Sequence, residues 1–189
     1  RKGVLEEHMG LLGSAEKRLA ELYFEGGRKG ALPDWQESMR LSLEKSRDWY
    51  RKGFEGNLSH HWDGVQFLSL EAVLCGRISD PKFWHAAYTA AEIDRNKADE
   101  YWAFGSLAEL CLLAPAAGMP DAAAKAVEFL EEMKTRSRKS GDAYALETTE
   151  RQFRRYARWW TNQNGFFPGA PDLKAQAENL ADIVAALRR

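Results

Sequence analysis

The sequence offers almost nothing from which to build a strand, since no run of four to eight Val, Ile or Thr residues alternates with polar ones. Long apolar runs are missing too. The best, Leu107 to Ala117, is interrupted by Glu109 and contains Pro115, well short of the roughly 20 residues that cross a bilayer. No membrane partner is expected. Cysteine is scarce: Cys75 and Cys111 both sit in apolar helical patterns, where a thiol behaves as a small buried hydrophobe. Their scarcity points to a reducing compartment and a cytoplasmic location. The chain opens Arg-Lys-Gly, with no Met, apolar stretch or small-residue cleavage site of a signal peptide; it is expected to be part of a longer protein.

Chemical motifs are equally few. There is no Gly-rich phosphate loop and no Gly-x-Ser-x-Gly elbow. His60 and His61 are adjacent and so cannot form the i, i+4 pair of a zinc helix. A metal set would have to be assembled across helices from His61, His85 and Glu71, and a carboxylate pair drawn from Glu71, Glu92 and Glu109. Buried or flank-paired glutamates are the commoner use of such residues. No cofactor, no metal and no catalytic residue is expected, and the chain reads as non-enzymatic.

What is present is helical spacing. The chain has 189 residues, 44% hydrophobic and 29% charged, with a net charge of -1; a chain of this size buries roughly 70% of its unfolded surface. Near the end, Leu173, Ala177, Leu180, Val184 and Leu187 fall at steps of four and three, the mark of one buried helix face. Comparable stripes run Trp35, Met39, Leu43, Ser46, Tyr50, then Trp84, Ala87, Ala91, then Ala123, Ala126, Leu130, Met133. Pro33, Pro81, Pro120 and Pro171 precede such stripes, while Gly53, Gly56, Gly76, Gly118 and Gly141 fall between them. The spacing predicts helices over 4–25, 34–53, 59–75, 81–97, 100–114, 120–138, 142–161 and 171–188, with an irregular link over 161–170. Short connections imply antiparallel neighbours.

A repeat emerges when the third and fifth helices are superposed at a shift of 40 residues: Trp62, Gln66, Ser69 and Val73 fall on Trp102, Ser106, Glu109 and Leu113. A further shift of 42 adds Tyr144, Thr148, Arg151 and Arg155. Each set occupies one stripe of its helix. Helix pairs recurring at this period predict an all-α, right-handed α-solenoid of seven to eight helices, tetratricopeptide-like in architecture, although the period is longer than 34 residues and the Trp-Leu-Gly-Tyr signature is missing. Residues 1–189 are expected to form one helical-repeat domain, with 170–189 as a capping helix whose outer face carries Lys174, Gln176, Glu178, Asn179 and Asp182.

Four segments, 11–22 (LLGSAEKRLAEL), 46–76 (SRDWYRKGFEGNLSHHWDGVQFLSLEAVLCG), 99–114 (DEYWAFGSLAELCLLA) and 148–156 (TTERQFRRY), resemble the tetratricopeptide-like TRAFs-binding domain, found in the central regulatory region of the apoptosis-signal-regulating kinases and in bacterial proteins. The likeness spans most of residues 10–160. It implies a non-catalytic regulatory or scaffolding module that works beside an effector domain. It marks no contact residue for a TRAF protein.

If the repeated stripe faces the concave groove of a solenoid, Trp62, Trp102 and Tyr144 are aromatic anchors. Gln66, Ser69, Ser106, Glu109, Thr148, Arg151 and Arg155 are then its polar contacts, and the occupant would be a protein segment or the chain's own effector domain. The alternative is that the tryptophans are core and the small polar residues let helices approach. Charge is also uneven: residues 1–133 carry 16 basic against 22 acidic side chains, and 134–158 carry 8 against 3. Lys134, Arg136, Arg138 and Lys139 suit a helix C-terminus. Arg151, Arg154, Arg155 and Arg158 share one helix face, with Phe153, Tyr156 and Trp160 on another. That basic face is read as ion-paired or as a patch for an anionic partner, phosphate or nucleotide; a pI near 6.5 argues against nucleic acid. The function expected first is protein docking, and the second is sensing of a small anionic ligand or nucleotide. A helical enzyme without a recognisable motif is the third. Oligomeric state is open.

Overall fold

In the computed structural model, residues 2–97, 101–140, 144–158 and 173–188 are described, and among them all regular structure is helical. The α-helices are α1 (Lys2–Arg28), α2 (Trp35–Gly56), α3 (His61–Cys75), α4 (Pro81–Asp94), α5 (Trp102–Leu113), α6 (Ala123–Ser140), α7 (Tyr144–Arg158) and α8 (Lys174–Leu187), with a 3-10 turn at Ala114–Ala117. Each helix packs on the next along the chain: α1 on α2, α2 on α3, α3 on α4, α4 on α5 and α5 on α6, then α7 on α8, with α3 also against α5. This is an α-solenoid. Trp160, the link over 161–170, Pro171 and Gly141 lie outside what is described, as does the side chain of Lys139.

The apolar spacing explains which helices are central. From Gly64 to Val73 every residue of α3 is buried, as is every residue of α5 from Ala103 to Leu113, because both are apolar nearly all round and so must be covered on every side. In α7, only the face of Ala145, Leu146, Thr149, Gln152, Phe153 and Tyr156, with the neighbouring Arg155 and Ala157, is buried. α8 lays Ala177, Leu180, Ala181 and Val184 on α7 and α6. Trp84 Nε1 donates to the Leu110 carbonyl at 3.0 Å, tying α4 to α5. The Ile78 N–H donates to the Ala116 carbonyl at 2.8 Å, tying the two connections together.

Punctuation differs from expectation in informative ways. Pro81 does open α4, behind an Asp80 cap whose carboxylate accepts from the Lys82 N–H at 3.0 Å. Pro33 and Pro120 instead lie two or three residues ahead of α2 and α6. Gly76 and Gly118 terminate helical segments in the left-handed conformation, with φ of 74° and 72°. Gly53, read as a turn residue, lies inside α2, where a Cβ would stand 2.6 Å from Asp63 Oδ2; close approach of α2 to α3 is what requires glycine there. Cys75 is exposed at the end of α3, contrary to the buried reading. Burial pushes the Cys111 thiol up to about 11, as an inert core residue requires.

Candidate functional site

α1, α3, α5 and α7, the first helix of each pair, face one another around a cavity of about 170 Å³. α3 contributes Trp62 and Gln66; α5 contributes Trp102, Gly105, Ser106 and Glu109; α7 contributes Tyr144, Thr148, Arg151 and Arg155. Nine of the ten candidate groove residues of the repeated stripe therefore share one space. The tenth, Ser69, does not line it: the side chain is fully buried, donates to the Gln66 carbonyl at 2.9 Å and lies beside the Tyr156 hydroxyl. Gly105 admits α7 closely, since a Cβ there would meet Thr149 Oγ1 at 2.8 Å.

The aromatic residues form the rim. Trp62 and Tyr144 are 37% and 58% exposed, which excludes a core role for them. Trp102 stands edge-on to Tyr144 at 5.9 Å, and Trp62 edge-on to Tyr50 at 5.5 Å.

α1 supplies what spacing did not reveal. Ser14, Lys17 and Arg18 line the cavity, together with Tyr50 of α2 and Gln152 and Phe153 of α7. The groove is bridged where α1 reaches across to α7 through long polar side chains. Arg155 Nε donates to Glu21 Oε1 at 3.1 Å, and Arg158 pairs with Glu25 at 2.5 Å. Lys17 Nζ donates to Gln66 Oε1 and, at 3.5 Å, to Gln152 Oε1. Arg155 also donates to Gln152 Oε1 at 2.7 Å. From the far wall, Glu109 Oε1 accepts from Gln152 Nε2 at 2.8 Å and from the Tyr156 hydroxyl at 2.6 Å. One continuous network thus joins α1, α3, α5 and α7, with the Arg158–Glu25 pair beside it.

The four arginines of α7 do not act together. Arg151 and Arg155 line the cavity, whereas Arg154 turns to α8, pairing with Asp182 at 2.8 Å, and Arg158 turns to α1. A helix spreads i, i+3 and i+4 positions over enough arc that neighbours on both sides claim them.

Electrostatically the cavity is a cationic place with one carboxylate. Lys17, Arg18, Arg151 and Arg155 line it against Glu109. Burial pushes the Glu109 carboxyl up, opposed by the Tyr156 and Gln152 hydrogen bonds. Burial, followed by the Arg155 charge, holds the Lys17 amine well below the usual lysine range. Arg151 Nε and Thr148 Oγ1 are buried at the cavity with no hydrogen-bond partner. Buried polar atoms left unpaired are costly, about 1–3 kcal/mol each.

Ser106 Oγ lies 3.0 Å from His61 Nδ1, and His61 Nε2 lies 3.6 Å from Asp94 Oδ2. This succession has the residue types of a hydrolytic triad but not its chemistry. Ser106 lies within α5, whose backbone N–H groups are committed to the helix. Burial pushes the His61 imidazole down to about 4, outweighing the Asp94 charge, which makes it a poor base at neutral pH. The other residues weighed for metal are elsewhere: His85 stacks edge-on to Trp84, and Glu71 accepts from the Ser79 N–H. Among the described residues no group of three His, Cys, Asp or Glu could hold a metal ion.

His61 carries a testable pH dependence. Its folded pKa lies below the ordinary 6.5, so its contribution to stability is present above pH 6.5 and is lost as pH falls through about 4. The shift corresponds to roughly 3 kcal/mol. Urea unfolding at pH 7 and pH 4.5 should show His61→Gln losing markedly less stability on acidification than the parent; equal losses would remove His61 as the cause.

A family model, Tetratricopeptide Repeats-Sensor, matches the chain over residues 2–71. That span takes in α1, α2 and most of α3, including Lys17, Trp62 and Gln66 of the cavity. It supports a tetratricopeptide-like helical-repeat module of the interaction or sensor kind, without specific support for the TRAFs-binding resemblance. No curated protein and no solved structure matches.

Proposed function

We propose that this chain is a sensor module that holds a small anionic ligand, such as a nucleotide or another phosphate-bearing compound, in the cavity between α1, α3, α5 and α7. The observation that carries this reading is the gathering of Arg18, Arg151 and Arg155 around one partly open cavity, with Arg151 Nε and Thr148 Oγ1 unpaired beside it. The match to a sensor repeat family supports it. An anion accepting from Arg151 would satisfy a donor that the folded chain leaves waiting. The rim of Trp62, Trp102 and Tyr144 offers faces on which a planar group stacks.

The cavity reverses the order of the two readings drawn from sequence. A partner helix is about 10 Å across, whereas this space holds about 170 Å³ and is bridged by the Glu21–Arg155 and Glu25–Arg158 pairs. Those pairs narrow the approach of a protein segment between α1 and α7. The protein-docking reading keeps a different surface, because Leu11, Leu19 and Leu22 are exposed along α1. In a longer protein, residues 1–189 would form one repeat domain capped by α8. Ligand binding there would bias an effector domain between states through the α1–α7 bridge.

The experiment is a titration of inorganic phosphate and AMP against the purified chain by calorimetry, with Arg151→Ala as the comparison. Arg151 is chosen because the α1–α7 ion pairs do not depend on it. Binding that weakens steeply with salt and drops about tenfold or more in the variant is expected, the scale of one charge-assisted hydrogen bond. Absence of binding, or binding indifferent to Arg151, would sink the proposal.

A further inference from the structure

Lys17 stands apart from the other cations of the cavity. Its side chain is 5% exposed and its Nζ reaches the cavity. Both hydrogen-bond partners of that amine, Gln66 Oε1 and Gln152 Oε1, are neutral amide oxygens. Gln152 Oε1 is shared: Arg155 donates to the same atom at 2.7 Å, so an ammonium would converge with a guanidinium on one oxygen. The carboxylates of the neighbourhood are turned to other partners. Both Glu21 oxygens face Arg155, and Glu109 Oε1 is held by Gln152 and Tyr156. Among the described residues no carboxylate oxygen lies within ion-pair distance of Lys17 Nζ, while Arg151 adds a second cation from α7 and the Tyr50 ring of α2 lies 5.7 Å away. Burial and the neighbouring guanidinium hold such an amine well below the usual lysine range, against the pull of the Glu109 and Glu21 charges, and an amine that gives up its proton more readily is the better placed nucleophile at neutral pH.

We propose that Lys17 is a carbonyl-capturing lysine, which forms an imine with an anionic aldehyde or α-keto acid drawn into the cavity. The proposal rests on the anion-binding reading, since the arginines bring the carboxylate or phosphate to the place where the carbonyl meets Nζ. The Nζ lone pair adds to the carbonyl carbon, the C=O π electrons move to oxygen, and one N–H proton passes to that oxygen to give a carbinolamine. The carbinolamine hydroxyl then takes up a proton and leaves as water, the nitrogen lone pair closes the C=N bond, and the iminium gives back one N–H proton to leave the neutral imine. Glu109, the carboxyl that lines the same cavity, is the group to lend and recover that proton. No oxidant or reductant enters, and hydrolysis reverses the capture, as a sensor requires.

The test uses glyoxylate as probe, with cyanoborohydride present to reduce any imine to a carboxymethyl amine, and peptide mass spectrometry to locate the product. At pH 7, Lys17 should be labelled at least about tenfold faster than exposed lysines such as Lys45 and Lys82, because a lowered pKa leaves more of its amine unprotonated. Its labelling should level off at a lower pH than theirs, and Lys17→Arg should lose only this site. The pH profile of the unmodified chain decides the matter even if that variant folds poorly. Glycolate, the alcohol without a carbonyl, separates the two proposals. Glycolate bound with Lys17 labelled no faster than the surface lysines overturns carbonyl capture and leaves the anion site standing. Failure of both glycolate and phosphate to bind, with no preferential labelling, overturns both.

Discussion

Arg155→Met is expected to lower the unfolding free energy by about 3 kcal/mol, the low end of the 3–5 kcal/mol that follows from removing one partner of a buried ion pair. Arg155 is 6% exposed, and its guanidinium holds Glu21 of α1 and Gln152 of α7 at once. Methionine fills similar volume, so the loss would come from the stranded Glu21 carboxylate and the unmet Gln152 oxygen, not from a void. The low end applies because Glu21 retains some solvent at 27% exposure. Urea unfolding of Arg155→Met, Glu21→Gln and the double variant forms a cycle that isolates the bridge. The double variant should be less damaged than the sum of the singles by about 1 kcal/mol or more. Strict additivity would show that α1 and α7 do not hold each other. A surface pair such as Arg51–Glu55, half exposed on α2, is expected to contribute below about 1 kcal/mol in the same measurement.

Gly53→Val should cost about 3 kcal/mol for an unrelated reason. The Asp63 side chain, with no exposed surface, is wedged between the backbones of two helices: a Cβ on Gly53 would stand 2.6 Å from its Oδ2, and one on Gly10 3.0 Å from its Oδ1. Asp63 cannot swing away freely, since its Oδ2 also accepts from or pairs with His60 Nδ1 at 2.9 Å. Removing glycine from a helix interior normally gains up to about 1 kcal/mol. Overpacking costs typically 1–3 kcal/mol and more where the neighbour is enclosed, so the steric effect wins. Thermal unfolding of Gly53→Val should show the loss, and Asp63→Ala in the same chain should recover part of it by vacating the space. A Gly53→Val protein as stable as its parent would mean that α2 and α3 are not in close contact at this point.

Much of the site was legible because helical spacing carries it. Trp62 and Gln66, Trp102 and Ser106, Tyr144 and Thr148 stand at the same step on successive first helices, and equivalent positions in a solenoid face the same space. Lys17 carried no such signal. It belongs to no repeated set, and a lysine on an amphipathic helix ordinarily reads as solvated; only the approach of α1 to α7 buries it. Gln152 was passed over for the same cause, as a polar residue between arginines. Arg154 and Ser69 show the converse: the first lies on the face claimed by α8, and the second is walled off near Tyr156.

The sequence by itself determined the helices, their order and their pairing, because these follow from local periodicity and from short connections. It also determined that α3 and α5 lie inside, since helices apolar all round have no face to give to water. Tertiary structure alone decided that α1 bridges to α7 across the groove, that three arginines and Lys17 surround one carboxylate, and that Lys17 has amides and not a counter-ion for company. Those outcomes depend on the curvature that accumulates over four helix pairs, and curvature is the sum of small packing angles between side chains distant in sequence.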